Sequence, residues 1–171
     1  MSKKTKQSGF TLIEVMVATL VFSLVIIATS TLFSQVLTNQ RRAAALQKVE
    51  ENGQYIMELL AREIRVSDIV DQNSATCSLT SVTVTHPVNG IITYQLVSGV
   101  LQRVVGGVTT DLSSPDVEFN RFNFCVLGSG PTDDQSPRVT IVMSIQNKIG
   151  KYKEKVDLQT TVVSRDIESE F

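Results

Sequence analysis

At 171 residues with 42% hydrophobic content, the chain can supply one long helix and a globular head of about 100 residues. Its formal net charge of −1 gives no basic face of the kind a nucleic-acid footprint requires, so protein partners are expected. One histidine and two cysteines leave little for a metal centre, no cofactor is implied, and neither a G-x-S-x-G elbow nor a phosphate loop occurs, so an enzyme is not expected.

The chain opens with Lys3, Lys4 and Lys6, then Gly9, then an apolar run over residues 10–33 in which Glu14 is the one charged residue. As a helix that run rises roughly 36 Å, enough to cross a hydrocarbon core of about 30 Å. The basic leader predicts a cytoplasmic N-terminus and an exported remainder. A secretory signal peptide would end in small residues of A-x-A type, which Ala28-Thr29-Ser30 matches poorly. A plain signal anchor carrying an adhesion or sensor domain remains the simple alternative. It leaves Glu14 unexplained, since an unpaired carboxylate in lipid costs a few kcal/mol and marks a functional site by default.

Gly9-Phe10-Thr11-Leu12-Ile13-Glu14-Val15-Met16-Val17-Ala18 behind a short Lys-rich leader closely resembles the processing and assembly segment of the type IV pilin superfamily, which includes pilins and pseudopilins. The resemblance covers the leader and the span, about 30 residues. It implies that a prepilin peptidase cleaves after Gly9 and that Phe10 becomes an N-methylated N-terminus. It also implies that Glu14 is the assembly glutamate, the fifth residue of the mature chain. Partners are then that peptidase, inner-membrane lipid before assembly, and other pilin or pseudopilin subunits through the N-terminal helix. Cleavage would create an amine whose reference pKa of about 8 leaves it largely cationic. The amine of one Phe10 could thus neutralise Glu14 of another subunit.

The helical pattern continues past the span. Val49, Gly53, Ile56, Met57, Leu60 and Ile64 form one amphipathic stripe, with Glu50, Glu51, Glu58, Arg62 and Arg65 opposite. No Pro interrupts residues 10–68, which predicts one helix of nearly sixty residues. Many major pilins carry a Pro or Gly in the membrane half of this helix. Here there is neither, although Thr29-Ser30-Thr31 combines β-branching with hydroxyls that compete for backbone bonds.

From Asp71 turn chemistry gives way to β-branched runs. Strands are predicted over residues 81–85, 91–97, 100–105, 117–127, 138–146 and 156–164, separated by turns at Pro87-Val88-Asn89-Gly90, Ser98-Gly99 and Gly106-Gly107. The expected fold class is α+β and pilin-like, a long N-terminal helix packed on a small antiparallel β-sheet head. The expected segments are a leader at 1–9, a membrane and assembly half at 10–34, an amphipathic half at 35–69 and a β-rich head at 70–171.

Cys77 and Cys125 both fall in the exported part, where an even count reads as one disulfide; two buried free thiols are the alternative. Residues 128–137 gather oxygen donors, but two carboxylates are few for calcium, so no metal site is assigned. Lys148, Lys151, Lys153 and Lys155 surround Tyr152 in a hairpin tip that could touch DNA, though a soluble turn explains it as well. Finer similarity, carried by Arg41-Arg42, by Leu60-Ala61-Arg62-Glu63-Ile64-Arg65 and by the last strand closing on Arg165, is to the minor pilins and pseudopilins of the W/J type. A competence pseudopilin for DNA uptake and a major filament subunit are the neighbouring alternatives.

Overall fold

A computed structural model describes residues 9–69, 71–130, 135–150 and 153–164. The chain divides into two compact units, Met1–Arg41 and Arg42–Phe171, and helix α1 (Leu12–Arg65) runs through the boundary. Its 54 residues contain no Pro, in keeping with the predicted uninterrupted helix. By length and composition it is the one helix among the described residues that could cross a membrane.

In the first unit the hydroxyls along the helix return to their own backbone. Thr19 donates to the Val15 carbonyl (3.0 Å), Ser23 to Thr19 (2.7 Å), Thr29 to Val25 (2.9 Å) and Thr31 to Ile27 (2.9 Å). Such bonds satisfy polar groups that have no other partner in lipid, and they share the carbonyl with the helix ladder rather than replacing it. That is why Thr29-Ser30-Thr31 lies within continuous helix.

In the second unit α1 buries Val49, Gly53, Ile56, Leu60 and Ile64, the predicted stripe, with Met57 half-buried beside it; Glu50, Glu51, Glu58, Arg62 and Arg65 are exposed. The head differs from the single sheet expected, because its strands form two antiparallel sheets. One has the order β1-β6-β7-β8 (Ser74–Leu79, Val117–Leu127, Arg138–Asn147, Lys155–Val163). The other is the meander β2-β3-β4-β5 (Ser81–His86, Gly90–Val97, Val100–Val105, Val108–Asp111). Strands β1 and β5 were not predicted. The core fills from both sheets and the helix, with Phe119, Phe122 and Phe124 in edge-to-face contact at centroid separations of 5.5 and 5.1 Å.

The split into two sheets has a local cause at the outer edge of β2. There the Asp68 and Thr85 backbones exchange two hydrogen bonds (3.0 and 2.8 Å). Beside them the Gln72 side chain stands in for a strand. Its Nε2 donates to the Thr83 carbonyl (2.5 Å) and its Oε1 accepts from the Thr83 amide (2.8 Å). An edge closed this way offers no free ladder groups at Thr83 and Thr85 for another strand.

Helix and sheets are joined at two tight points. A Cβ at Gly53 would stand 2.6 Å from Leu158 Cδ1, so the helix approaches β8 only because residue 53 has no side chain. Gly53→Ala should lower head stability by about 1–3 kcal/mol through overpacking, read as a fall in the urea midpoint. A simultaneous Leu158→Ala should recover part of the loss. At the second point, Tyr94 on β3 is fully buried and donates its hydroxyl to Glu63 Oε2, which also accepts from Arg103 Nε at 3.2 Å.

Burial first, and the hydrogen bond to Glu63 next, push the Tyr94 phenol above its ordinary range, with Arg103 opposing. The folded head therefore keeps this proton where an unfolded tyrosine, with a pKa of about 10, loses it. The stabilisation is complete below about pH 10 and is lost as pH rises beyond it. Urea midpoints measured between about pH 8 and 11 should fall more steeply for the wild type than for Tyr94→Phe. Parallel slopes would refute this.

Candidate processing and assembly segment

Gly9 and Phe10 precede α1 and are exposed, Phe10 at 86%. A side chain built at Gly9 would meet no atom within 4 Å. Among the described residues nothing places a steric demand for glycine there.

Thr11 starts the helix, its carbonyl accepting from the Glu14 and Val15 amides (3.1 and 3.3 Å). Its hydroxyl accepts from the Glu14 amide (3.4 Å). In return Glu14 Oε2 accepts from the Thr11 amide and the Thr11 hydroxyl, both at 3.2 Å. This is a reciprocal capping box, with threonine as cap and glutamate three positions on. Caps of this kind contribute about 0.5–2 kcal/mol. The arrangement also gives Glu14 two donors from its own helix start, so the carboxylate is not bare at the head of an apolar run. An open groove of about 480 Å³ beside it is lined by Phe10, Glu14, Val15, Ala18, Thr19 and Phe22. Its walls are almost wholly apolar, and Glu14 stands at one margin.

Gly9, Phe10 and Glu14 thus lie together at one helix start. Sequence reasoning gave no role to Thr11, although the T-x-x-E spacing of a capping box was there to be read. Cys77 and Cys125 lie in the second unit, where they form a disulfide with Cα atoms 4.0 Å apart. Residues 1–8, which hold the leader lysines, lie outside the described residues. So do Pro131 to Asp134 of the oxygen-rich loop, Lys151 and Tyr152 of the basic tip, and Arg165.

Within that tip, Lys153 Nζ donates to the Asn147 and Lys148 carbonyls (3.1 and 2.7 Å) and lies 3.8 Å from Glu118. Lys155 lies 3.5 Å from Asp157. These cations already have partners within the head. Among the described residues no group of three or more His, Cys, Asp or Glu side chains could hold a metal ion.

An apolar helix whose capped start carries one carboxylate is followed by a disulfide-bonded β head, an α+β pilin-like arrangement. Residues 4–30 match the family described as the prokaryotic N-terminal methylation motif, which supports a type IV pilin-like or pseudopilin-like prepilin segment at the N-terminus. No curated protein and no solved structure matches the chain.

Proposed function

We propose that the chain is an exported, membrane-stored subunit of a type IV pilus-like or type II secretion-like filament, a minor subunit of the W/J kind. In this reading the peptidase cleaves after Gly9, Phe10 is N-methylated, and the subunit is drawn from the inner membrane into a bundle of N-terminal helices. Glu14 then exchanges its internal donors for the Phe10 amine of another subunit. The observation that carries the proposal is the placement of Glu14, the one charged residue in the span, three positions into a capped helix within the methylation motif. The W/J placement rests on Arg41-Arg42 and on the Arg-rich turn ending at Arg65.

Mass spectrometry of the mature chain is the direct test. An N-methylated Phe10 supports the proposal; an intact Met1, or cleavage beyond Phe33, overturns it. Gly9→Leu should leave the leader attached. Among the described residues nothing lies within 4 Å of a side chain at position 9, so in this reading the effect arises at the peptidase and the head should melt at the wild-type temperature. A Gly9→Leu chain that still begins at Phe10 would count against the assigned site.

A further inference from the structure

Each sheet of the head has two outer edges, and two of the four are blunted. The outer side of β2 is closed by Asp68 and Gln72. β1 meets β6 at Ser74 and Leu79 with a shift of register between them. β5 and β8, the last strands of their sheets, are regular to their ends and pair on one side only among the described residues. β8 keeps an unbroken register along β7, and Leu158 to Val163 holds no charge and no Pro. Long, flat, uncharged edges are templates for pairing with another chain, and proteins ordinarily blunt them.

We propose that β5 of one copy docks antiparallel on β8 of a second copy, with Asp111 opposite Lys155 and Val108 opposite Leu158. Residues directly opposed in an antiparallel pair share a face of the sheet. On one face Val108, 67% exposed, then covers half-buried Leu158. Val108 continues the row of Ile92 and Val105, and Leu158 continues that of Met143, so two rows that start in the core meet. On the other face Asp111, held by the uncharged Gln102 at 2.9 Å, meets Lys155, whose side chain is 50% exposed. A shift of one residue would turn Val108 to the polar face. A shift of two toward Val163 would set Asp111 against Asp157, and two the other way runs past the start of β8. The matching edges are different parts of one chain, so each docked copy keeps an edge for the next.

The strand directions agree with such a contact. A Cβ at Gly53 would touch Leu158, and the Ser164 hydroxyl donates to the Ser67 carbonyl, so β8 runs in the same sense as the helix segment beside it. β3 runs the opposite way, because Ile91 lies opposite Thr85, the partner of Asp68, while Tyr94 reaches back to Glu63. β5 lies two antiparallel steps from β3 and shares its sense. Copies stored in one membrane share the direction of α1, and β5 of one then meets β8 of the next antiparallel. For this step alone the inference rests on the proposed function.

Cysteine cross-linking of the full chain in membranes tests the contact. The two native cysteines are bonded to each other, so an introduced thiol is the reactive one. Opposed Cα atoms in an antiparallel pair lie about 4.5–5.5 Å apart, within the span of a disulfide. Chains with Asp111→Cys and chains with Lys155→Cys, mixed in one membrane and oxidised with copper–phenanthroline, should give a dimer that neither gives alone. Thr110→Cys mixed with Lys155→Cys should lose that dimer, because the two side chains then fall on opposite faces. A second measurement is energy transfer between labelled chains in phosphatidylethanolamine–phosphatidylglycerol vesicles. Asp111→Lys should weaken association about two- to tenfold by setting like charges opposite each other, and adding Lys155→Asp to the same chain should restore it. No dimer from the Asp111→Cys and Lys155→Cys mixture, an equal yield from the Thr110→Cys mixture, or a double reversal as weak as Asp111→Lys would overturn the proposal. Mass spectrometry of the mature N-terminus reports on the proposed function separately, so a chain that begins at Phe10 but does not cross-link fails this inference alone.

Discussion

Glu14→Ala is expected to leave leader cleavage and the folded head intact while incorporation into filaments fails. The head is unaffected because Glu14 belongs to the first unit, and the core of the second is built from residues 49 onward. In the proposed reading assembly is affected because the Phe10 amine of a neighbouring subunit would then enter an apolar bundle without a counter-charge. Leaving one partner of a buried pair stranded typically costs about 3–5 kcal/mol. That corresponds to roughly a hundredfold or greater loss in each docking step.

The capping box adds a competing explanation that a second variant resolves. Glu14→Ala also removes the bond to the Thr11 amide, so a frayed helix start could by itself impair docking. A glutamine at the same position can still reach back to the cap amide, but it carries no charge. Glu14→Gln should therefore keep the helix start ordered and still fail to assemble. Immunoblots of sheared filaments against membrane fractions measure both variants. Normal incorporation of Glu14→Gln would transfer the role of Glu14 from ion pairing to helix capping.

The capping geometry also bears on storage. In the proposed reading, Glu14 has two donors from Thr11 before a neighbour arrives, so the span could wait in lipid without a second chain. Neither donor carries a full charge, and an amine would be the stronger partner for a carboxylate. Storage and assembly can thus draw on the same carboxylate with different partners, a weaker internal one and a stronger external one.

How far the fold was legible in the sequence depended on whether the signal was periodic. The stripe from Val49 to Ile64 repeats at helical spacing, and β6 spans the predicted residues 117–127 because its apolar run is long and bounded by turns. Ser74–Leu79 offered no alternation. It is a strand because β6 supplies its ladder and a disulfide holds it there, both contacts about fifty residues away. Val108–Asp111 is short and wholly exposed, so burial left no mark on its composition.

The division into two sheets turns on Gln72 acting as backbone, and no residue pattern announces that. The tie between Glu63, Tyr94 and Arg103 spans 31 and 40 positions and was equally invisible. At the N-terminus the T-x-x-E spacing of Thr11 and Glu14 is itself a legible capping-box signal, local in sequence where the other ties are not.

Removing the disulfide should be the most damaging single change to the head. The register of β1 on β6 explains why. Ser74 pairs with Val126 and Leu79 with Phe124, so residues 75–78 bulge opposite Cys125 alone. Cys77 sits within that bulge at a φ of 52°, a left-handed conformation costly for a residue with a side chain. Ladder bonds cannot hold four residues against one, which leaves the covalent bond to Cys125 to hold the bulge down.

The disulfide closes a loop of sequence separation 48, for which chain entropy gives about 4 kcal/mol. Set against a typical domain stability of 5–15 kcal/mol, that is a large share. Cys77→Ser, Cys125→Ser and the double variant should lower the urea midpoint by similar amounts, because all three break the same bond. Reductant should bring the wild type to the same value and leave the double variant unchanged. Protease should then cut first around residues 74–79, where β1 has lost its anchor. A wild-type midpoint that ignores reductant would show that the ladder and core hold β1 without the disulfide.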